Sequence, residues 1–197
     1  ERRRLLHPAG LGPGSVLALS LSGLAAFTGF VALYVDHLHL GDAGHLFLLY
    51  GGLILAVRIA GARLADRFGA RRTAACAIGC IATGMAVIAT VHVTAGLYAG
   101  TVVFALGMAL QYPALIRLVI DAAPDNERSS AIATFSIFFD LSQGIGLLLL
   151  GAVVSIAGSE AWAFGAAAVL SLSSLLVLQR DNNRAMVADR LLVEHAD

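Results

Sequence analysis

The residues of this 197-residue chain that could do chemistry are a few charged side chains, since 13% of its residues are charged and 58% are hydrophobic. The densest group lies in an arginine-rich connection at residues 61–72, between two long apolar runs. The carboxylate of Asp66 in this connection can contact the positive end of a neighbouring helix or a guanidinium and so stabilise one conformation. Its glycine permits a tight turn, and its arginines can face anionic lipid or simply fix the orientation of the chain. The residues concerned are Gly61, Asp66, Arg67, Gly69, Arg71 and Arg72.

Two more charges, Arg58 and Asp140, lie inside long apolar runs. A lone charge at membrane depth costs at least about 2.5 kcal/mol on insertion scales and is usually paired or functional. At about 1.5 Å of helix rise per residue, they lie about 12 and 16 Å from the same membrane surface. This depth predicts a salt bridge between the second and fifth spans. Two alternatives stay open: Asp140 carries a proton, with its proton affinity raised by desolvation, or the charge is solvated in a cavity.

Six apolar segments must position these side chains. A helix needs roughly 20 mostly apolar residues to cross about 30 Å of hydrocarbon, and six segments joined by short connections meet that test. We therefore predict an all-α membrane protein with a basic cytoplasmic linker (1–14), a six-helix bundle (15–178) and a cytoplasmic tail (179–197). The predicted spans are residues 15–35, 45–62, 73–91, 95–117, 129–156 and 160–178.

The arginines predict how this bundle lies in the membrane. The chain has no lysine, and its thirteen arginines precede the first span, surround the second and fourth connections, and follow the last span. The first, third and fifth connections carry none. Cationic residues are held back on the cytoplasmic side during insertion. We therefore expect a multi-pass protein of the cell membrane with both termini and the even-numbered connections in the cytoplasm.

The connection at residues 61–72 resembles the signature loop of the major facilitator superfamily of secondary transporters, Gly-x-x-x-Asp-Arg-x-Gly-x-Arg-Arg. The core from Asp66 to Arg72 matches, whereas Ala62 stands where the family has its first glycine and the nearest glycine is Gly61. That departure bears on the close helix packing that a glycine allows. The resemblance covers residues 15–178, and residues 111–146 are similar to the fourth-to-fifth helix region of second halves in bacterial efflux-type members.

Members of this family have twelve helices in two halves, each made of two inverted three-helix repeats, with the substrate cavity between the halves. The resemblance implies that this chain is the C-terminal half of a longer chain, whose N-terminal six-helix half is its partner. It also implies that Asp66 grips a helix of the other half when the outside gate is open. The alternative is a free-standing six-helix protein that dimerises to enclose a path.

The first and fourth helices line the transport path in this family, so the resemblance implies substrate contacts from these helices. The fifth helix adds one polar amide. Aromatic side chains in membrane helices are ordinarily packing residues, and packing stays the alternative for each candidate. The cavity candidates are Phe27, Phe30, Tyr34, Met108, Gln111, Tyr112 and Gln143.

Other functional classes lack their characteristic residues. The run 20–23, Ser-Leu-Ser-Gly, lacks the first glycine of an intramembrane rhomboid protease, and no asparagine precedes a proline, as water and glycerol channels require. Without a lysine there is no phosphate-binding loop. We therefore expect neither an enzyme nor a cofactor. Five residues near the outer end of the first span could bind a divalent metal, but their spacing matches no tight ligand pattern, so no metal is expected. They are Asp36, His37, His39, Asp42 and His45.

Together these features predict a secondary transporter that moves a small organic solute by alternating access. Its expected partners are the lipid bilayer, the solute and protons, and no nucleic acid. Proton-coupled efflux, as in an antiporter, is the expected activity. Uptake of a sugar or another metabolite, and a non-transporting membrane scaffold, are the alternatives.

Overall fold

The computed structural model describes residues 6–61 and 69–194, with side chains described for residues 6–59 and 69–181. Within these ranges the chain forms seven helices. Helices α1 and α2 meet at Leu21 and together make one apolar span of 30 residues. The helices are α1 Pro8–Ser20, α2 Ser22–His37, α3 Ala43–Gly61, α4 Ala70–Thr90, α5 Thr94–Ala122, α6 Arg128–Ala157 and α7 Ala161–Glu194.

Five stretches are long and apolar enough to cross a membrane, and α3 supplies a shorter sixth, whose described apolar part is Ala43–Ile59. The predicted all-α membrane bundle is confirmed. The five longer stretches are Pro8–His37, Ala70–Thr90, Thr94–Ala122, Arg128–Ala157 and Ala161–Asp181.

Both ends of the bundle extend further than the composition predicts. Residues 8–14, predicted as linker, form the first turns of α1, and α7 continues to Glu194 rather than ending at 178. Proline is well suited to the first helical position, because its missing N–H would have no partner there. The glycines that look like linker residues are packing contacts. A Cβ on Gly10 would lie 2.7 Å from the carbonyl oxygen of Ala131 on α6.

The packing follows two three-helix repeats. The first span, α1 with α2, packs on α6 and α7, whereas α5 packs on α3 and α4, and α4 packs on α7. When the first three spans are exchanged for the last three, the contacts of the first span map onto those of the fourth, and the contact between the third and sixth spans maps onto itself. Short connections make successive spans run in opposite directions, and a repeat of three spans is therefore inverted relative to the next. The first and fourth spans are thus equivalent, as are the second and fifth.

Glycines allow the third and fourth spans, α4 and α5, to approach closely. A Cβ on Gly84 would lie 2.6 Å from the backbone nitrogen of Phe104, and one on Gly107 would lie 2.5 Å from the carbonyl oxygen of Ala77. Because hydrocarbon gives no hydrophobic drive between helices, small residues and tight contacts hold such spans together.

Replacing Gly84 with alanine is expected to lower the free energy of unfolding by about 1–3 kcal/mol, because the methyl group would overlap backbone atoms that cannot move aside. Gly79 lies on the same helix, and a Cβ there would meet nothing within 4 Å. Gly79→Ala is therefore the matched control and should be neutral or slightly stabilising. Unfolding in detergent measures both variants, and equal stabilities would contradict the close approach.

Candidate functional site

The arginine-rich connection is described only at its two ends. Gly61 closes α3, while Asp66 and Arg67 lie outside the described residues. Gly69 precedes α4 with φ of +81°, a backbone conformation that favours glycine. Its carbonyl accepts hydrogen bonds from the backbone N–H of Thr73 at 3.1 Å and from the Thr73 hydroxyl at 3.0 Å. The turn after the connection is therefore tied to the first turn of α4.

Arg71 and Arg72 point in different directions, although the sequence predicts that both face the lipid surface. Arg72 is exposed, whereas Arg71 is half-buried and its Nη2 donates to the backbone carbonyl of Leu178 at 3.3 Å. Neighbouring residues on a helix are rotated by about 100°, which lets Arg71 turn toward α7 while Arg72 stays exposed. Arg71 therefore joins the start of α4 to α7 within this half.

The predicted salt bridge between Arg58 and Asp140 is not formed among the described residues. Both side chains are exposed, Arg58 on α3 and Asp140 on α6. Helix α3 packs on α5 and α2, while α6 packs mainly on the first span and on α7. Equal depth does not bring the two charges together, because the second and fifth spans rest on different partners.

The exposed charges lie on the two helices that are packed least completely. Large apolar side chains of α3 and α6 are open, with Leu48 exposed to 75% and Leu148 to 76%. A Cβ built on Gly51, Gly52 or Gly144 would meet nothing within 4 Å. The second and fifth spans therefore each present an apolar face that carries one charge and that nothing in the described chain covers.

Most of the predicted cavity residues are buried inside this half. Phe27 and Gln111 are 0% and 1% exposed, and Phe30, Tyr34 and Met108 are also buried. The ring of Phe27 lies 5.2 Å from that of Phe104 and 5.1 Å from that of Tyr50, in a cluster that joins the first, second and fourth spans. In this structure these residues pack the core.

Tyr112 and Gln143 are the two cavity candidates that stay half-exposed. The ring of Tyr112 contacts Phe135 at 5.5 Å and Phe139 at 6.1 Å, so it links α5 to α6. The side-chain nitrogen of Gln143 is buried and has no hydrogen-bond partner within the described chain. Among the cavity candidates, these two side chains are the ones that keep some exposed surface.

Gln111 makes a polar contact at the point where the first span breaks. Its Nε2 donates to the hydroxyl of Ser20, the last residue of α1. Ser20 in turn donates to the carbonyl of Val16 at 2.6 Å, and such back-bonding often bends helices. Pro113 lies two residues beyond Gln111 and removes a backbone donor from α5. The equivalent first and fourth spans are therefore hydrogen-bonded to each other beside an irregularity in each.

Two histidine–glutamate contacts are not predicted from the sequence, because the partners are 120 and 123 residues apart. Nε2 of His7 lies 2.7 Å from Glu127, and Nδ1 of His37 lies 3.1 Å from Glu160. Proline is common at the first helical position, so Pro8 at the head of an apolar helix is the signal that places His7 at the N-cap. Within the described ranges, no group of three His, Cys, Asp or Glu side chains is arranged to hold a metal ion.

A family model described as Major Facilitator Superfamily matches residues 14–191. The chain belongs to this superfamily. An uncharacterised MFS-type transporter of Salmonella typhimurium (strain LT2) is 28% identical over 165 residues, which make up 84% of this chain and 42% of that protein. The uncharacterised MFS-type transporter YhhS of Escherichia coli (strain K12) is 25% identical over 163 residues, 83% of this chain and 40% of that protein.

The superfamily fold is also seen in a solved structure. A crystal structure of a mutant of the peptide transporter POT in complex with sulfate matches with a TM-score of 0.78 at 20% identity. The match covers 96% of this chain and 45% of that one. The chain thus spans about two fifths of the length of the curated relatives named above. Superfamily membership, with several apolar helices, points to a multi-pass membrane transporter rather than an enzyme.

The contact between Ser20 and Gln111 should stabilise this superfamily half. Ser20→Ala leaves a buried amide without its partner, and we expect the free energy of unfolding to fall by about 1–3 kcal/mol. Thr28→Ala is the matched control, because this exposed hydroxyl bonds to Leu24 within its own helix. Adding Gln111→Leu to Ser20→Ala should restore most of the loss. Thermal unfolding in detergent would contradict the contact if Ser20→Ala and Thr28→Ala behaved alike.

Proposed function

We propose that this chain is the C-terminal six-helix half of a secondary active transporter that moves a small organic solute by alternating access. The observation that carries the proposal is the pair of open faces on α3 and α6. A complete bundle would cover them, and the curated relatives are more than twice as long as their match to this chain. We infer that the N-terminal half of the same protein packs against these faces.

The charge on each open face supports a path between the halves rather than contact with lipid. Asp140 lies on the same surface of α6 as Ile137 and Gly144, at spacings of three and four residues. A carboxylate facing hydrocarbon at that depth would be costly, whereas one facing a water-filled cavity stays solvated. Arg58 on the equivalent helix α3 is exposed in the same way. The cavity alternative therefore replaces the salt bridge as our proposal for both charges.

Asp140 is our candidate for the proton carrier. A carboxyl group exchanges its proton when its surroundings alternate between water and a closed, poorly hydrated site, because burial disfavours the charged form. Alternating access supplies such a change at the border between two halves. Solute is proposed to touch the half-exposed Tyr112 and Gln143. Export is proposed as the direction, because residues 111–146 are similar to efflux-type members.

The distribution of arginines supports a cytoplasmic location for the end of the bundle where α1 begins. Because successive spans run in opposite directions, α4 and α6 begin at this end of the bundle, and α5 and the apolar part of α7 finish at it. Arg71, Arg117, Arg128 and Arg180 all lie within a few residues of those helix ends or of the apolar limit of α7. The plasma membrane is the proposed location. Asp66 is proposed to contact the other half from this side.

Transport in membrane vesicles tests the proposal. The intact protein should drive accumulation of a fluorescent organic cation such as ethidium when a pH gradient is imposed, and a protonophore should abolish it. Asp140→Asn should remove the dependence on the gradient. Asp36→Asn is the control, because Asp36 is an exposed carboxylate at the outer end of the same bundle. Gradient-driven transport that survives Asp140→Asn would contradict the carrier role.

The same assay separates the remaining roles. Asp66→Asn should slow transport while membrane insertion is preserved, and an unchanged rate would rule out a latch at this carboxylate. Accumulation of the dye only when the imposed pH gradient is reversed would indicate uptake instead of export. A properly inserted protein that moves neither dyes nor metabolites in either direction would support a membrane scaffold.

A further inference from the structure

The first span is held at both ends by a histidine and a glutamate. His7 contacts Glu127, which precedes α6, and His37 contacts Glu160, which precedes α7. The span Pro8–His37 has 30 residues and is about 45 Å long at about 1.5 Å per residue, more than the roughly 30 Å of hydrocarbon. The two imidazoles therefore meet water on opposite sides of the membrane.

His7 has two partners, one at each ring nitrogen. The backbone N–H of Ala9 donates to Nδ1 of His7 at 3.2 Å, which caps the N-terminus of α1. The other ring nitrogen, Nε2, lies 2.7 Å from the carboxylate of Glu127. A carboxylate ion accepts hydrogen bonds, and Nδ1 needs a free lone pair to accept one. With the cap formed, Nδ1 is the acceptor, and the ring proton lies on Nε2, toward Glu127.

The capped turn is also a contact between helices. The backbone N–H of His7 donates to the hydroxyl of Thr134 on α6 at 2.9 Å. Gly10 sits so close to α6 that a Cβ there would lie 2.7 Å from the carbonyl oxygen of Ala131. The first turn of α1 and the first turns of α6 thus form one junction, and a change in the cap alters that junction directly.

We propose that His7 is a proton-binding site whose occupation uncaps the first turn of α1. Protonation places a hydrogen on Nδ1, so this nitrogen and the N–H of Ala9 become two opposed donors and the cap is lost. The imidazolium would also lie at the positive end of the helix dipole, where a cation is unfavourable. The contact with Glu127 persists as an ion pair. Protonation of His7 therefore removes the helix cap and leaves an ion pair with Glu127.

Other charged groups near this junction do not replace the cap. Arg128 beside Glu127 pairs with Asp125 at 2.9 Å. Asp181 on α7 lies against Gly12, more than a turn further along α1. On the remaining neighbours, Arg117 of α5 contacts Asp121, and Arg71 and Arg72 begin α4. Among the described residues, Glu127 is the ionisable group in contact with His7.

His37, at the other end of the span, does not accept a helix-capping hydrogen bond from any described residue. It is the last residue of α2, where the helix dipole favours a cation, and its Nδ1 faces the carboxylate of Glu160 at 3.1 Å. Protonation therefore strengthens the contact at this end. The proton therefore removes a helix cap at the start of the span, whereas no cap is lost at its finish. This inference does not rest on solute transport.

Hydrogen exchange of the intact protein in lipid nanodiscs tests the proposal. Exchange of the amides of the first turn of α1, corrected for the intrinsic pH effect, is compared at about pH 8 and about pH 5.5, values that bracket the titration range of histidine. Local opening should increase about five-fold at the lower pH, as expected for loss of one helix cap. His7→Asn supplies a cap without a titratable ring and should give slow exchange at both pH values. His7→Ala should give fast exchange at both.

His37→Asn is the matched control and should leave the response of the first turn unchanged. Exchange that does not depend on pH in the unmodified protein would overturn the proposal, as would a response that survives His7→Asn. A second measurement does not depend on the variants. Nitrogen NMR of labelled histidine should show the Nε2-protonated ring for His7 at about pH 8, and a ring protonated on Nδ1 would overturn the proposal.

Discussion

Hydrocarbon offers no hydrogen-bond partner to a polar group, and this constraint shapes every span of the chain. The backbone satisfies it by forming helices. Several polar side chains satisfy it in one of three ways: Gln111 and Ser20 bond to each other in the core, His7 and His37 lie at the ends of the first span, and Arg58 and Asp140 lie on open faces. Arg58 and Asp140 are satisfied only if water or another polar group contacts those faces. We therefore propose that the open faces of α3 and α6 border a polar path and meet a second half.

The inverted repeat explains why these faces come as a pair. The first and fourth spans contact each other and carry buried aromatic residues such as Phe27 and Phe104. The equivalent second and fifth spans are the least covered, and each carries a charge. An arrangement of this kind gives one rigid core and two accessible helices. It suits a half that moves as a body against another, and the pH-sensitive cap at His7 would act on the junction between the first and fifth spans.

Hydropathy and one loop are enough to predict the six spans and the superfamily, because span length and the Asp66 to Arg72 pattern are properties of the sequence alone. Rotation about the helix axes is not predictable in the same way. Depth places Arg58 and Asp140 at similar levels but does not say which way they point, and Gln111 proved to be buried. Counting apolar residues also places the start of the first span too late, because glycines such as Gly10 look like linker residues but pack against α6. The contact of His7 with Glu127 is not predictable from the sequence, because the two residues are 120 positions apart.

We propose that the open face of α6 borders an aqueous path and not lipid. Single cysteines test it directly, in a background with Cys76 and Cys80 replaced by alanine. Gly144→Cys lies on the face of Asp140, and Val169→Cys lies on α7, where the side chain is 66% exposed. A water-soluble maleimide should label Gly144→Cys in membranes and leave Val169→Cys unmodified. Equal labelling at the two positions, or none at Gly144→Cys in any conformation, would contradict the account.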